Sequence, residues 1–409
     1  MRTMALEAVT AMVSSDAAQP RVVVSGNAAV PWQLLRAVDA ALPAYRLFML
    51  NSPRGIPARE GVVHETPFVG VGMRRSPSLA YVPARLSQVP ELFGTTCPPD
   101  VVLLHTSAEH GGRVSMGAEV NVLPAAIEAC RAHGGVVLAQ TNPRMPYTFG
   151  DGELEIDQLD GIVAADEPLG AAHAGRTPDD AATRIGELVA ERVVDGSTLQ
   201  LGIGDVPNAT LPGLSHRRGL RVWSEMVSDG LLALDAAGAL DPDSEVVASF
   251  VVGSEGLYRH LDRNPRVRIL RTEITNDPGR IAGNPKMTSI NTALSVDLFA
   301  QANASRIKAR IHSGFGGQTD FIVGAVHSPG GQALMALRSW HPRADVSTIV
   351  PLLDEPVTSF QHTAVVTEQG AAEIHGHDER TQARHLIDRA AHPSVRDELR
   401  EEAVALGLA

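Results

Sequence analysis

Lysine is nearly missing from this chain: of its 35 basic residues, all but Lys286 and Lys308 are arginine. A mechanism built on a lysine Schiff base therefore has few candidates. The net charge of −12, with no concentrated basic patch, argues against a nucleic-acid backbone as the main partner. Cysteine is as scarce. Cys97 and Cys130 are too few for a disulfide framework and do not have metal-ligand spacing, so they read as reduced, buried thiols. Nowhere does the chain hold a run of about 18 apolar residues, so no membrane span is expected. The apolar stretch Met4–Val13 is interrupted by Glu7, and Leu6, Val9 and Val13 fall at helical spacing. It reads as a surface helix rather than a signal peptide. Together these features predict a cytoplasmic protein. They leave room for a small anionic ligand, because a few backbone N–H groups hold a phosphate without net positive charge.

What the chain does contain is ordinary apolar material, 44% hydrophobic over 409 residues, enough for two or three domains. Strand-like segments recur at Arg21–Ser25, Val101–Thr106, Gly135–Gln140, Thr198–Leu201, Leu220–Trp223, Val246–Val251 and Val267–Leu270. Helical periodicity follows each, and the alternation predicts an α/β protein with mainly parallel sheets. Two units look alike. Val22–Val24, a small-residue turn and Pro31 lead into a helical segment from Trp32. Leu199–Leu201, a glycine turn and Pro207 lead into another from Ala209. Nearly half the chain separates the prolines, so two similar α/β lobes are expected, over residues 1–170 and 182–409. The Gly-, Ala- and Pro-rich stretch at 166–181 is the expected link.

Three glycine-rich elements stand out. The first runs Gly202, Ile203, Gly204, Asp205, Val206, Pro207, between a strand and a helix. Glycines there let backbone N–H groups approach an anion, although many strand–helix turns need glycine for steric reasons alone. The second runs Ser313, Gly314, Phe315, Gly316, Gly317, where three glycines in four residues are costly to order unless something approaches closely. The third, Gly330-Gly331, reads as a simple turn. Between the first two lies VWSEMVSDG, residues 222–230, with Glu225 just beyond a hydrophobic strand. A glutamate there is commonly solvated or salt-bridged, but ligands of parallel sheets collect at the carboxyl ends of strands.

Several ordered motifs go further. The stretches DGSTLQLGIGDVPNA (195–209), WSEMVSDG (223–230), SINTALSVDLFAQANA (289–304), HSGFGGQTDF (312–321), IVPLLDE (349–355) and VVTEQGAAEIHG (365–376) resemble the acetyl-CoA hydrolase/transferase family. VSMGAEV (114–120) and TNPRMPYTFGD (141–151) fit it as well, so the resemblance covers nearly the whole chain. It implies a CoA-transferase-like fold of two lobes and an acyl-CoA:carboxylate CoA-transferase. Glu225 would be the nucleophile, passing through an acyl-glutamyl anhydride and a glutamyl-CoA thioester. The amides of Ile203 and Gly317 would form the oxyanion hole. Gly202–Val206 and Ser313, Gly314, Gly316 and Gly317 would contact coenzyme A, which enters as substrate rather than as a tightly bound cofactor. A homodimer or higher homo-oligomer is implied too. The chain departs from the family pattern at Trp223, Val323, Pro329, Thr348 and His375, most of which replace a cation or a His/Tyr. The alternatives are an acyl-CoA hydrolase using the same glutamate, a non-catalytic CoA sensor, and a metallohydrolase on His375, His377, Asp378 and His385. The last has no ordered metal-ligand spacing.

Overall fold

The computed structural model describes residues 4–13, 18–170, 178–202 and 204–409. The chain forms two compact units. The first comprises Met1–Ala172, Glu225–Asp229 and Glu245–Asn276; the second comprises His173–Ser224, Gly230–Ser244 and Asp277–Ala409. The sequence suggested two continuous lobes, 1–170 and 182–409; the observed units are discontinuous. Residues 171–177 of the expected link lie outside the described residues.

In the first unit the N-terminal apolar stretch is a helix, α1 (Leu6–Met12), that buries Val9 and leaves its charged face outward. A parallel sheet follows: β1 (Arg21–Val24), β2 (Tyr45–Phe48), β3 (Val62–Thr66), β4 (Leu79–Tyr81), β5 (Val101–Thr106), β6 (Val136–Thr141) and β7 (Gly161–Ala164). Its order is β7-β6-β5-β1-β2-β3-β4, and every pairing is parallel. Parallel sheets covered on both faces need strands that are apolar throughout. All six residues of β5 are buried, and so are Val22–Val24 of β1. The helix α2 (Trp32–Ala41) buries Leu34, Leu35 and Val38 at helical spacing, and α3 (Leu123–Ala132) runs between β5 and β6. The strand order reverses between β1 and β5, which opens a crevice at the carboxyl ends of these two strands.

The second unit opens with α4 (Asp180–Arg192), whose N-cap Asp179 accepts from Ala182 N. The strand β8 (Thr198–Leu199), the helix α5 (Asp205–Leu214) and β9 (Arg221–Trp223) come next. After β9 the chain crosses into the first unit. There β10 (Met226–Val227) pairs in parallel with β12 (Phe250–Val251), while β11 (Val246–Ala248) pairs with β13 (Val267–Ile269). The helix α6 (Glu255–Leu261) and the short α7 (Thr272–Thr275) close that segment.

The second unit then resumes with β14 (Met287–Asn291), α8 (Gln318–His327), β15 (Gln332–Ala336), β16 (Ala364–Thr367) and β17 (Gly370–Glu373). Six of this unit's strands run side by side in the order β17-β16-β15-β14-β8-β9, all parallel except for the β16–β17 hairpin. In both units the first strand lies inside the sheet, with the next strand on one side and a later one on the other. That shared plan accounts for the repeated strand–turn–helix unit. The prolines differ in position: Pro31 immediately precedes α2, whereas Pro207 is the third residue of α5. The charged C-terminal stretch forms α9 (Glu379–His385) and α10 (Arg396–Ala405), packed on the second unit's core through Ala383, Leu386, Leu399 and Ala403. Asp378 serves as N-cap of α9, and His385 Nδ1 meets Glu373 O at 2.8 Å. These residues of the metallohydrolase alternative thus have structural uses.

Candidate active site

Both glycine loops belong to the second unit and sit at the carboxyl end of its parallel sheet. The first leaves β8, and Gly204 adopts φ 118°, a conformation that side-chain-bearing residues rarely take. Gly204 is the N-cap of α5, which places Asp205 and Val206 in the first turn of that helix. Ile203 lies outside the described residues. The second loop follows an anchor: His312 N and Ser313 N donate to Ser305 O, and Ser313 Oγ donates to Ala304 O at 3.0 Å. Gly314, Gly316 and Gly317 are buried. Gly316 is left-handed at φ 56°, and Gly317 is the N-cap of α8.

The two loops flank the same segment. Thr292 follows β14, the neighbour of β8, and its carbonyl accepts from Gln318 Nε2, at the start of α8, at 3.1 Å. Thr292 and Leu294 also line a cleft of about 640 Å³ with Gly204, Asp205, Val206 and Arg338. The N-terminus of α5 opens on this cleft, where its backbone N–H groups suit an anionic, partly apolar ligand, while Arg338 in the wall lies 3.7 Å from the Asp205 carboxylate. Arg338 is tied to Asp179 at 2.7 Å, and that bond holds the Asp179 carboxyl below its usual range. Thr348, where a cation was expected from the family pattern, is buried in the cleft wall and donates to Arg338 O. Trp223 packs against the second unit's hydrophobic core.

Glu225 stands in the first unit, one peptide bond beyond Ser224 of the second. Its main-chain carbonyl accepts from Ser249 N at 2.9 Å and Phe250 N at 3.1 Å. Its half-buried carboxylate accepts from Asn276 Nδ2 at 2.9 Å. Asn276 is itself fully buried, and Thr275 Oγ1 donates to its Oδ1 at 2.9 Å, which turns its amide nitrogen toward Glu225. Main chain and side chain of Glu225 are therefore both fixed.

Two residues of this arrangement escaped sequence reasoning. Asn276 lies in the stretch TNDPG, whose composition reads as a turn. Ser224 is fully buried; its hydroxyl accepts from Leu201 N at 3.1 Å and lies 3.0 Å from Leu201 O. It thus ties the residue before the first glycine turn to the residue before Glu225. Among the described residues no group of three or more His, Cys, Asp and Glu side chains is placed to hold a metal ion.

Parallel sheets with glycine turns and helix N-termini at their carboxyl ends define a CoA-transferase-like α/β protein. The model for the acetyl-CoA hydrolase/transferase C-terminal domain matches residues 253–403. The chain is 36% identical to a 4-hydroxybutyrate coenzyme A transferase of Clostridium kluyveri over 83% of its own length and 81% of that protein's. It is 33% identical to a succinyl-CoA:acetate/propanoyl-CoA:succinate CoA transferase of Fasciola hepatica, covering 93% of this chain and 84% of the other. The crystal structure of a 4-hydroxybutyrate CoA-transferase from Porphyromonas gingivalis superposes with a TM-score of 0.80 at 30% identity, over 98% of this chain and 96% of that one. The chain belongs to the acetyl-CoA hydrolase/transferase family and is an enzyme.

Proposed function

We propose that this enzyme moves coenzyme A between carboxylic acids, with the carboxylate of Glu225 as nucleophile. The observation that carries the reading is the double hold on Glu225: two backbone donors on its carbonyl and the buried Asn276 amide on its carboxylate. A carboxylate is ionised at neutral pH and needs positioning rather than a general base.

Attack by a Glu225 oxygen on the acyl-CoA carbonyl expels CoA thiolate and leaves an acyl-glutamyl anhydride. The thiolate then attacks the glutamyl carbonyl, the donor acid leaves, and a glutamyl-CoA thioester remains. An acceptor carboxylate attacks that thioester, expelling the thiolate and forming a second anhydride. The thiolate closes the cycle on the new acyl carbonyl and frees Glu225. Splitting one exchange into these steps conserves the thioester's free energy. Each tetrahedral intermediate carries an oxyanion, for which the Ile203 and Gly317 amides are the proposed donors; in other enzymes losing one such donor costs about 2.7–4 kcal/mol. Coenzyme A is substrate here, and the cleft beside Gly204 is the part of the second unit suited to it.

Glu225→Ala should abolish transfer while CoA-ester binding persists. Glu225→Asp withdraws the carboxylate by one methylene and should lose on the order of 100-fold in rate. Borohydride added with acyl-CoA alone should inactivate the wild type and mark a peptide containing Glu225. A mark on another residue, or near-normal transfer by the alanine variant, overturns the mechanism. Glu225 is half-buried rather than sealed, and that exposure favours hydrolysis as a second reading, with water replacing the acceptor acid. Measuring free CoA release with and without acceptor separates the two.

A further inference from the structure

The segment VSMGAEV has no part in the chemistry described so far, yet it carries a carboxylate that is almost wholly buried. Glu119 is 1% exposed, and no arginine or lysine among the described residues pairs with it. Burying a carboxylate without a cation is costly unless its oxygens are used. Asparagine amides use them. Asn27 Nδ2 donates to both oxygens at 3.0 and 2.9 Å, and Asn121 Nδ2 donates to Oε1 at 2.7 Å. Asn51 Nδ2 in turn donates to Asn27 Oδ1 at 2.8 Å. All three asparagines have positive φ, at 46°, 43° and 22° for Asn27, Asn51 and Asn121. Asn27 follows β1, so the cluster stands at the crevice where the first unit's strand order reverses.

The main chain of Asn121 leads from this cluster to Glu225. Its N–H donates to Ser249 O at 3.1 Å, joined there by Val120 N at 3.2 Å, and Ser249 N is one of the two donors to the Glu225 carbonyl. The Asn121 carbonyl accepts from Thr272 N at 3.0 Å. Thr272 opens α7, its own carbonyl accepts from Asn276 N at 2.9 Å, and Asn276 holds the Glu225 carboxylate. Both grips on the nucleophile thus converge on one residue, whose side chain is anchored by Glu119.

We propose that Glu119 is a positioning residue for Glu225, fixing through Asn121 both the Ser249 contact and the α7–Asn276 segment. This rests on the reading of Glu225 as the nucleophile. Glu119 touches no reacting atom in this scheme; it sets the accuracy with which the attacking oxygen is aimed.

Glu119→Gln keeps the volume and replaces one acceptor oxygen with a donor that faces the asparagine amides. It should lower kcat by about 10- to 100-fold, the scale of a misplacement near 1 Å, with KM for acyl-CoA and acceptor acid within about threefold of wild type. Borohydride trapping at Glu225 should slow in parallel, and amide hydrogen exchange should quicken at residues 249–250 and 272–276. Should that variant fail to fold, Asn121→Gly keeps the positive φ and both main-chain bonds while deleting the link to Glu119. It should show the same kcat-selective loss, about tenfold or more. Folded variants with kcat within twofold of wild type, or with loss confined to KM or thermal stability, overturn the inference if Glu225→Ala is inactive. Near-normal transfer by Glu225→Ala instead sinks the nucleophile reading, and the inference with it.

Discussion

Single side chains in this protein carry charge states that burial has moved, and His362 is the plainest. It is fully buried, neither ring nitrogen has a hydrogen-bond partner among the described residues, and its ring stands edge-on to Phe360 at 5.9 Å. Burial lowers its pKa to about 4 from 6.5. The native state then refuses a proton that the unfolded chain takes up, so stability falls as pH drops from about 6.5 toward 4, by up to roughly 3 kcal/mol. His362→Leu should flatten that part of the profile, measurable as urea midpoints at pH 4.5 and 7.5; an unchanged acid limb would refute the assignment. Glu119 has the opposite sign. Burial raises it to about 7, the native state holds its proton more tightly, and its contribution declines as pH rises from about 4.5 to 7. At this scale the strand-end position and the motif both drew attention to Glu225, the residue on which the proposed mechanism rests. The sequence was silent about Asn276, which is 51 positions away in the chain and is joined to Glu225 only by folding.

Between elements, the close approach of α4 and α5 decides where the first glycine loop lies. A Cβ on Gly186 would fall 2.4 Å from the backbone of Ala209, so the two helices pack through that missing side chain. Gly186→Ala should destabilise the protein by about 1–3 kcal/mol through overpacking. Because α5 begins at the Gly204 turn, the same change should raise KM for acyl-CoA more than it lowers kcat. Thermal melts and steady-state kinetics check both parts. Strands were legible where apolar residues run together, as in VVLLHT of β5 and VVLAQT of β6. Others were hidden by polar residues that are nevertheless buried. β14 reads MTSIN and buries Thr288 and Ser289, and Ser289 Oγ donates to Gln200 Oε1 at 2.7 Å. In β3, VVHET, the buried Glu65 is paired with Arg21 at 2.5 Å. Hydrophobic patterning alone marks neither as a strand, since each depends on a partner far along the chain.

Across the whole molecule, the α/β class and the repeated plan could be read from the alternation of strands and helices, while the discontinuous units could not. The first unit needs its later segments. Val120 N donates to Ser249 O, Tyr147 N to Asp262 Oδ1 at 2.9 Å, and Arg271 N to Asp151 Oδ2 at 2.9 Å. A fragment of residues 1–170 leaves those groups without partners. It should therefore lack a cooperative thermal transition, whereas residues 1–276 should retain more of one; circular dichroism melts of the two would decide. The passage of the chain from one unit to the other at Ser224 and Glu225, and its return after Asn276, also has a consequence during synthesis. On the ribosome the first unit waits, unfinished, through the making of much of the second, and its last piece arrives with Asn276. Until that residue leaves the exit tunnel, Glu225 has neither its amide partner nor its final place, so on the mechanism proposed above a stalled nascent chain is not yet primed to react with acyl-CoA.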